Sequence, residues 1–251
     1  MAIDTHDVVA HFTDRAERYD GSSHWCTDPA LMACVLGHVQ PQSHERVLDV
    51  ACGTGLVSRH FKGKVARVVG CDITPAMYEQ ARPRLDEFHQ GRGESLPFAD
   101  NSFDIVTCRQ GTQFMDDAAA LREMTRVLVP GGRVCIINLC AYNDGDKEEY
   151  YEILRLRNPA RCNFYLESDL HALLSQAGLE SVAVHRHVSL EDVDVWSDNG
   201  AISEDRREAI RQVYRDASTA FQEHHAARSE DGTRYFDHML FGIAIGVKPG
   251  G

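Results

Sequence analysis

Apolar residues recur along the chain at two spacings, and the switches between them outline an architecture. Between residues 5 and 19, Val8, Val9, Phe12, Ala16 and Tyr19 follow a helical period. Asp28-Pro29 opens a second helix running to about residue 38, with proline in its first turn. Short apolar runs over 46–50, 65–71, 103–108 and 133–139 then read as strands, separated by helical segments over 56–61, after Thr74-Pro75, and near 118–128. Strands alternating with helices imply a parallel sheet. Pro83 removes a backbone donor and crowds the preceding turn, so the helix after Pro75 is expected to kink or stop there.

Beyond residue 140 the pattern loosens. Asn143-Asp144-Gly145-Asp146 reads as a loop into a charged helix over 147–157, and Ser168 as the cap of a helix ending before Gly178. Two strands, over 181–188 and 236–247, complete the sheet. Between them, residues 204–227 place Ile210, Val213, Tyr214, Ala217 and Phe221 on one helical face, with acids in the first turn and His224-His225 in the last, where a helix C-terminus favours them. That stripe has to be covered, either by roofing a ligand pocket or by forming a dimer face.

A length of 251 residues suits one large α/β domain. The balance of 26 Lys and Arg against 38 Asp and Glu, a formal charge of -12, argues against nucleic acid as a partner, because phosphate binding needs a positive stripe. Several of the 8 cysteines fall inside the expected strands rather than at paired spacings, as in a reduced, cytoplasmic protein. No apolar signal core opens the chain, and no stretch approaches the roughly 18 apolar residues of a membrane span. A monomer or homodimer without membrane insertion is expected.

The chemistry concentrates in Val47-Leu48-Asp49-Val50-Ala51-Cys52-Gly53-Thr54-Gly55. A dinucleotide turn spaces its glycines G-x-G-x-x-G so that a pyrophosphate rests on a helix N-terminus. Here Leu56 and Val57 follow Gly55 in place of a further glycine, and Asp49 at the strand end would repel a phosphate. A cationic, phosphate-free nucleoside suits the turn better. Asp72 ends the next apolar run, at the offset that sets a carboxylate beside a ribose.

Four segments, VLDVACGTG, VVGCDITPAMYEQA, GESLPFADNSFDIVTCRQ and LREMTRVLVPGGRVCII, occur in the order seen in class I S-adenosylmethionine-dependent methyltransferases. Over about residues 43 to 180 the chain resembles the UbiE-like small-molecule and quinone subgroup. The resemblance implies an α/β fold: a Rossmann-like doubly wound sheet of about seven strands, the last antiparallel. In a single domain, residues 1–42 would form an N-terminal helical cap, 43–188 and 236–248 the cofactor-binding core, and 189–235 a helical lid.

The same resemblance implies S-adenosylmethionine as cofactor. Asp49, Ala51, Gly53 and Gly55 would surround its methionine end, Asp72 would take the ribose, and Tyr19 would close over it from the N-terminal segment. Ile73 and Met77 would pack either around the adenine or in their own helix core, and Arg109 would stand at the pocket edge. Where relatives read G-D-A-E, this chain reads Gly91-Arg92-Gly93-Glu94, and arginine cannot accept a hydrogen bond. The adenine amine is left to backbone around Gly93 and Glu94, or to the Glu94 carboxylate.

Gln113 stands where quinone C-methyltransferases of the subgroup carry arginine in F-G-L-R-N, and glutamine cannot act as a base. Gln113, His24 and Tyr142 are the catalytic candidates, the last two as bases should the acceptor have to lose a proton. Arg157-Asn158-Pro159-Ala160-Arg161 resembles an R-D-P-S-H stretch of relatives and is either a pocket wall or a solvated charge run. His185 and His187 share a strand face without a third ligand, so no metal site is expected. The expected activity is methyl transfer to the O, N or C atom of a small aromatic or apolar molecule. A protein using the cofactor for a cyclase- or isomerase-type reaction, or a non-catalytic binding module, would keep the same motifs.

Overall fold

The computed structural model describes residues 5–230 and 234–250; residues 1–4 of the expected cap and 231–233 of the expected insert lie outside the described residues. Its centre is an eight-stranded sheet in the order β3-β2-β1-β4-β5-β8-β6, with β7 pairing to β8 off that path. The strands are β1 (Arg46–Val50), β2 (Arg67–Asp72), β3 (Glu87–Gln90), β4 (Phe103–Arg109), β5 (Leu128–Cys140), β6 (Glu180–Asp192), β7 (Arg228–Glu230) and β8 (Arg234–Val247). The first five run parallel, and β8 inserts antiparallel between β5 and β6.

Because the sheet is covered on both sides at its centre, the central strands β1, β2 and β4 are buried along nearly their whole length rather than alternately. Along β1, Val47 packs into one core layer and Leu48 and Val50 into the other. The first layer receives α2 (Pro29–Val39), α5 (Lys147–Arg157), α8 (Glu204–Arg215) and α9 (Thr219–His225); the second receives α4 (Asp117–Val127) and α6 (Glu167–Gln176). α1 (Thr5–Arg15) lies against α3 (Pro75–Ala81), beside the parallel half of the sheet.

Local chemistry sets several boundaries. Asp28 accepts from the Ala30 amide at 2.8 Å and Pro29 opens α2, as the sequence indicates. α3 stops at Ala81, just before Pro83, and gives way to a single 3₁₀ turn. Other expectations are corrected. Residues 56–61 form turns and the short 3₁₀ segment Ser58–His60 rather than an α-helix. α6 begins at Glu167, so Ser168 lies inside it; Asp169 is the residue that reaches back, accepting from the Leu166 amide at 2.7 Å. β3 was not anticipated.

The stripe in 204–227 belongs to two helices, not one. Asp216 ends α8, and Ser218 restarts the chain by accepting from the Phe221 amide at 3.2 Å. Ile210, Tyr214, Ala217 and Phe221 are buried against α5 and β8. They are therefore core residues, and neither a roof over a pocket nor an open dimer face is needed to cover them. The short α7 (Val193–Ser197) fixes the start of this region by burying Trp196 completely.

Candidate active site

The strand order reverses between β1 and β4, and in an open parallel sheet the crevice outside the strand C-termini at that reversal is where ligands bind. A cavity with about 680 Å³ of empty space occupies this position. Each neighbouring strand delivers its C-terminal loop to it: Ala51 and Gly53 after β1, Asp72 to Thr74 from β2, Gly91 to Glu94 after β3, and Arg109 to Gly111 from β4. Val8 and Phe12 of α1, with Tyr19 just beyond it, close the remaining side.

The β1 and β4 loops are pressed together. Ala51 (φ 52°) and Gln110 (φ 54°) both hold left-handed backbone, which costs an L-residue roughly 1–2 kcal/mol. A Cβ on Gly111 would come within 2.7 Å of both Ala51 Cβ and Cys108 Sγ. Gly53 (φ 53°), by contrast, has nothing within 4 Å of where its Cβ would be, so the loop leaves open space there.

Asp72 is buried and polarised by backbone. Its Oδ2 accepts from Gly53 N and its Oδ1 from Thr74 N, both at 2.8 Å, while burial pushes its carboxyl above the ordinary range. Asp49 lies deeper, lining a small side cavity with Tyr19, Leu56, Val57 and Arg109. Burial lifts its pKa to about 6 against the hydrogen bonds from Ser58 Oγ and Thr107 Oγ1. Glu94 is held by the Arg92 guanidinium and the Asp116 amide, both at 3.2 Å.

A second cavity, with about 380 Å³ of empty space, shares Phe12, Tyr19, Gln110 and Phe114 with the first. Its remaining wall comes from Arg15 of α1, Trp25, Gln113, Leu139, and the end of α5 with the turn behind it. Gln113 is buried and donates to Gln110 Oε1 at 2.7 Å. Arg157, Asn158 and Arg161 all line this cavity, which decides for the pocket wall over the solvated charge run.

Of the sequence candidates, Tyr19, Ala51, Gly53, Asp72, Ile73, Met77, Gly93, Glu94 and Arg109 surround the first cavity, Asp49 the side cavity and Gln113 the second. Three are displaced. Gly55 turns its open side toward Arg84, whose Cβ would be 3.1 Å from an added methyl, so it is a packing and turn residue. The His24 side chain is 63% exposed and leans toward Ser189 on β6, outside both cavities. Tyr142 spends its hydroxyl on the His238 carbonyl at 2.7 Å and packs beside His224 and His225. His185 stacks on His38 and His187 bonds Asp28 at 2.7 Å.

The sequence missed Arg15, although it lies on the α1 face that carries Val8 and Phe12, seven residues after the first and three after the second. It also missed the clasp between N-terminal segment and glycine loop. Asp20 accepts from Thr54 Oγ1 at 2.6 Å and pairs with Arg84 at 2.7 Å, and Arg84 also donates to the Thr54 carbonyl at 2.9 Å.

Residues 48–136 match the family model described as a methyltransferase domain. The uncharacterized methyltransferase YcgJ of Bacillus subtilis is 33% identical over 178 residues, covering 67% of this chain and 70% of that one. The YcgJ crystal structure superposes with a TM-score of 0.81 at 26% identity, covering 89% of this chain and all of the other. A demethylmenaquinone methyltransferase of Beutenbergia cavernae is 37% identical over 139 residues, 53% of this chain and 58% of its own length. The chain spans about half the length of that relative. The reversal-point cavity, its glycine loop and Asp72 thus stand in a chain that belongs to the class I methyltransferases, with S-adenosylmethionine as cofactor.

Proposed function

We propose that the first cavity holds S-adenosylmethionine and the second the small molecule that receives its methyl group. The observation that carries this is the shared wall: Phe12, Tyr19, Gln110 and Phe114 border both spaces, so occupants of the two meet there. The residues fit the cofactor. Gly53 leaves room where a side chain would intrude, Asp72 retains acceptor capacity for two ribose hydroxyls, and Arg109 Nη1 is a buried donor without a partner on the protein. Ile73 and Met77 would flank the adenine. Glu94 spends only Oε1 on Arg92 and the Asp116 amide, so its Oε2 and the backbone near Gly93 are the two acceptors offered to the adenine amine.

The bound cofactor supplies an electrophilic methyl on a sulfonium; the protein supplies alignment and dryness. The edge-on pair Phe12 and Phe114, with ring centroids 5.2 Å apart, gives an aromatic or apolar acceptor an apolar wall of one ring face and one ring edge. Among the described residues lining the second cavity there is no carboxylate or imidazole. Gln113 orients rather than abstracts, and the reaction depends on positioning more than on a protein base.

Incubation with methyl-labelled S-adenosylmethionine and a pool of small aromatic and apolar compounds tests the proposal by mass spectrometry. Labelled product with one S-adenosylhomocysteine released per methyl is expected. Chemical change in an acceptor without S-adenosylhomocysteine release would replace methyl transfer by a non-methylating use of the cofactor.

A further inference from the structure

The second cavity is walled by buried arginines that no acid neutralises. Arg15, Arg157 and Arg161 are 2%, 8% and 8% exposed, and among the described residues no Asp or Glu forms an ion pair with any of them. Their fixed contacts are neutral: Arg157 Nε donates to the Trp196 carbonyl and Arg161 Nε to the Asn163 carbonyl, each at 3.0 Å, while Arg15 Nη1 reaches His11 at 3.3 Å. The nearest acid to Arg157 in electrostatic effect is Glu191, whose oxygens are taken by the His24 and Trp25 amides and Ser189.

A buried charge is costly unless it is paired, and grouping like charges compounds the cost. Burial, followed by the Arg15 guanidinium, pulls Arg157 down to about 9, and burial with both arginines drives His11 down to about 3, so His11 is neutral and cannot relieve or add to the charge. Hydrogen-bonding capacity is equally one-sided. Among the described residues lining this cavity, Arg15 Nε, Trp25 Nε1, Gln110 Nε2, Asn158 Nδ2 and Arg161 Nη2 are buried donors without partners, against one orphan acceptor, Gln113 Oε1. In a chain of formal charge -12 this is a local reversal of sign.

We infer that the acceptor carries an oxyanion, a carboxylate or a phosphate, and that Arg15, Arg157 and Arg161 bind it while its methyl-accepting body lies on Phe12 and Phe114. This rests on the proposed division of the two cavities. Arg109 is kept apart from the set because it lines the first cavity and the side cavity beside Asp49. The arginines come from two elements, α1 and the end of α5 with its following turn, so an anion bridges them as a counter-ion would.

The test is calorimetry on the full chain, with and without saturating S-adenosylhomocysteine, using benzoate, phenyl phosphate and the neutral isostere benzamide as probes. One of the two anions should bind at least tenfold more tightly than benzamide; which of them does so distinguishes a carboxylate acceptor from a phosphorylated one. Arg157→Gln and Arg161→Gln should each weaken that anion ten- to a hundredfold and leave S-adenosylhomocysteine affinity within twofold, while Arg161→Lys, which keeps the charge, recovers part of the loss. Equal binding of benzamide, or no probe binding to the loaded protein, overturns the inference. A parallel loss of S-adenosylhomocysteine affinity also overturns it, by assigning the arginines to the cofactor. Anion binding in a protein that does not take S-adenosylhomocysteine would instead sink the methyltransfer proposal and leave the anion site standing.

Discussion

Nδ1 of His225 lies 2.7 Å from Oδ1 of Asp237, with both side chains fully buried. The other ring nitrogen is 3.0 Å from Asp146 Oδ2, so both nitrogens donate and the ring is an imidazolium between two carboxylates. Burial opposes that charge, but Asp237 and Asp146 override it and hold the His225 pKa up at about 9. Tyr214 donates to the second oxygen of Asp237 at 2.6 Å, and the amides of Tyr142 and Asn143 donate to Asp146. The cluster ties α8, α9, β8 and the loop before α5 into one unit.

The consequence is a stability that falls on the alkaline side. A histidine whose pKa is raised on folding contributes fully below its unfolded value near 6.5 and loses that contribution as pH rises through about 9. Asp146, lowered by the same ring despite its burial, acts in the opposite direction and loses its contribution only in acid, below the ordinary carboxylate range. Urea unfolding at pH 6.5 and 9.5 should differ by roughly 2–3 kcal/mol in the wild type. In His225→Gln the difference should largely vanish, at the price of a protein destabilised at pH 6.5; an unchanged pH slope would show that the ring is neutral in the folded state.

Asp72→Ala should raise the dissociation constant for S-adenosylmethionine about ten- to a hundredfold, by removing charge-assisted bonds worth roughly 1.5–3 kcal/mol. Because the same carboxylate holds the Gly53 and Thr74 amides, the melting temperature should also fall by several degrees. Calorimetry and a thermal melt on one preparation separate the two effects, and an unaltered affinity would place the ribose elsewhere.

Gly111→Ala should cost about 1–3 kcal/mol, since the new methyl would press on Ala51 Cβ and Cys108 Sγ. Adding Ala51→Gly removes one of those contacts and also the left-handed strain at residue 51. The double variant should therefore be more stable than Gly111→Ala alone, with a coupling energy on the order of 1 kcal/mol. Strict additivity in denaturant titrations would mean that the two loops are not in contact in solution.

Asp20→Ala opens the clasp that joins the N-terminal segment to Thr54 and Arg84. Hydrogen exchange in α1 should accelerate, and cofactor affinity should drop severalfold because Phe12 and Tyr19 no longer close the cavity firmly. Exchange rates in α1 identical to those of the wild type would show that the apolar contacts alone hold the cap.

The proposed cofactor half of this site was legible in the sequence because its chemistry is local. A strand-end acid, a glycine turn and a second strand-end acid each occupy a few consecutive residues, and the parallel sheet brings such strand ends together without further information. The proposed acceptor half is not local. Arg15 and Arg161 are ordinary charged residues on paper, and only packing makes them buried and unpaired. His225 was hidden for the same reason: a histidine in the last turn of a helix needs no partner, and nothing nearby in sequence announces Asp146 or Asp237. β3 escaped notice because Glu87-Phe88-His89-Gln90 is a half-buried edge strand with little apolar signal. Ser218, however, was readable as a cap that divides the 204–227 stripe into two helices.

β6 leaves the ribosome well before β8, yet β8 is the strand that joins it to the rest of the sheet. Until β8 is made, β5 and β6 both present bare edges, and the carboxylate of Asp237 that seals His225 has not been synthesised. The nascent protein can assemble its parallel strands, including the strand-end acids Asp49 and Asp72, while the rest of the chain waits. Translation thus divides the molecule into an early parallel part and a late part that is locked in by a single strand, and the exposed edges of β5 and β6 are where aggregation would begin if that strand were delayed.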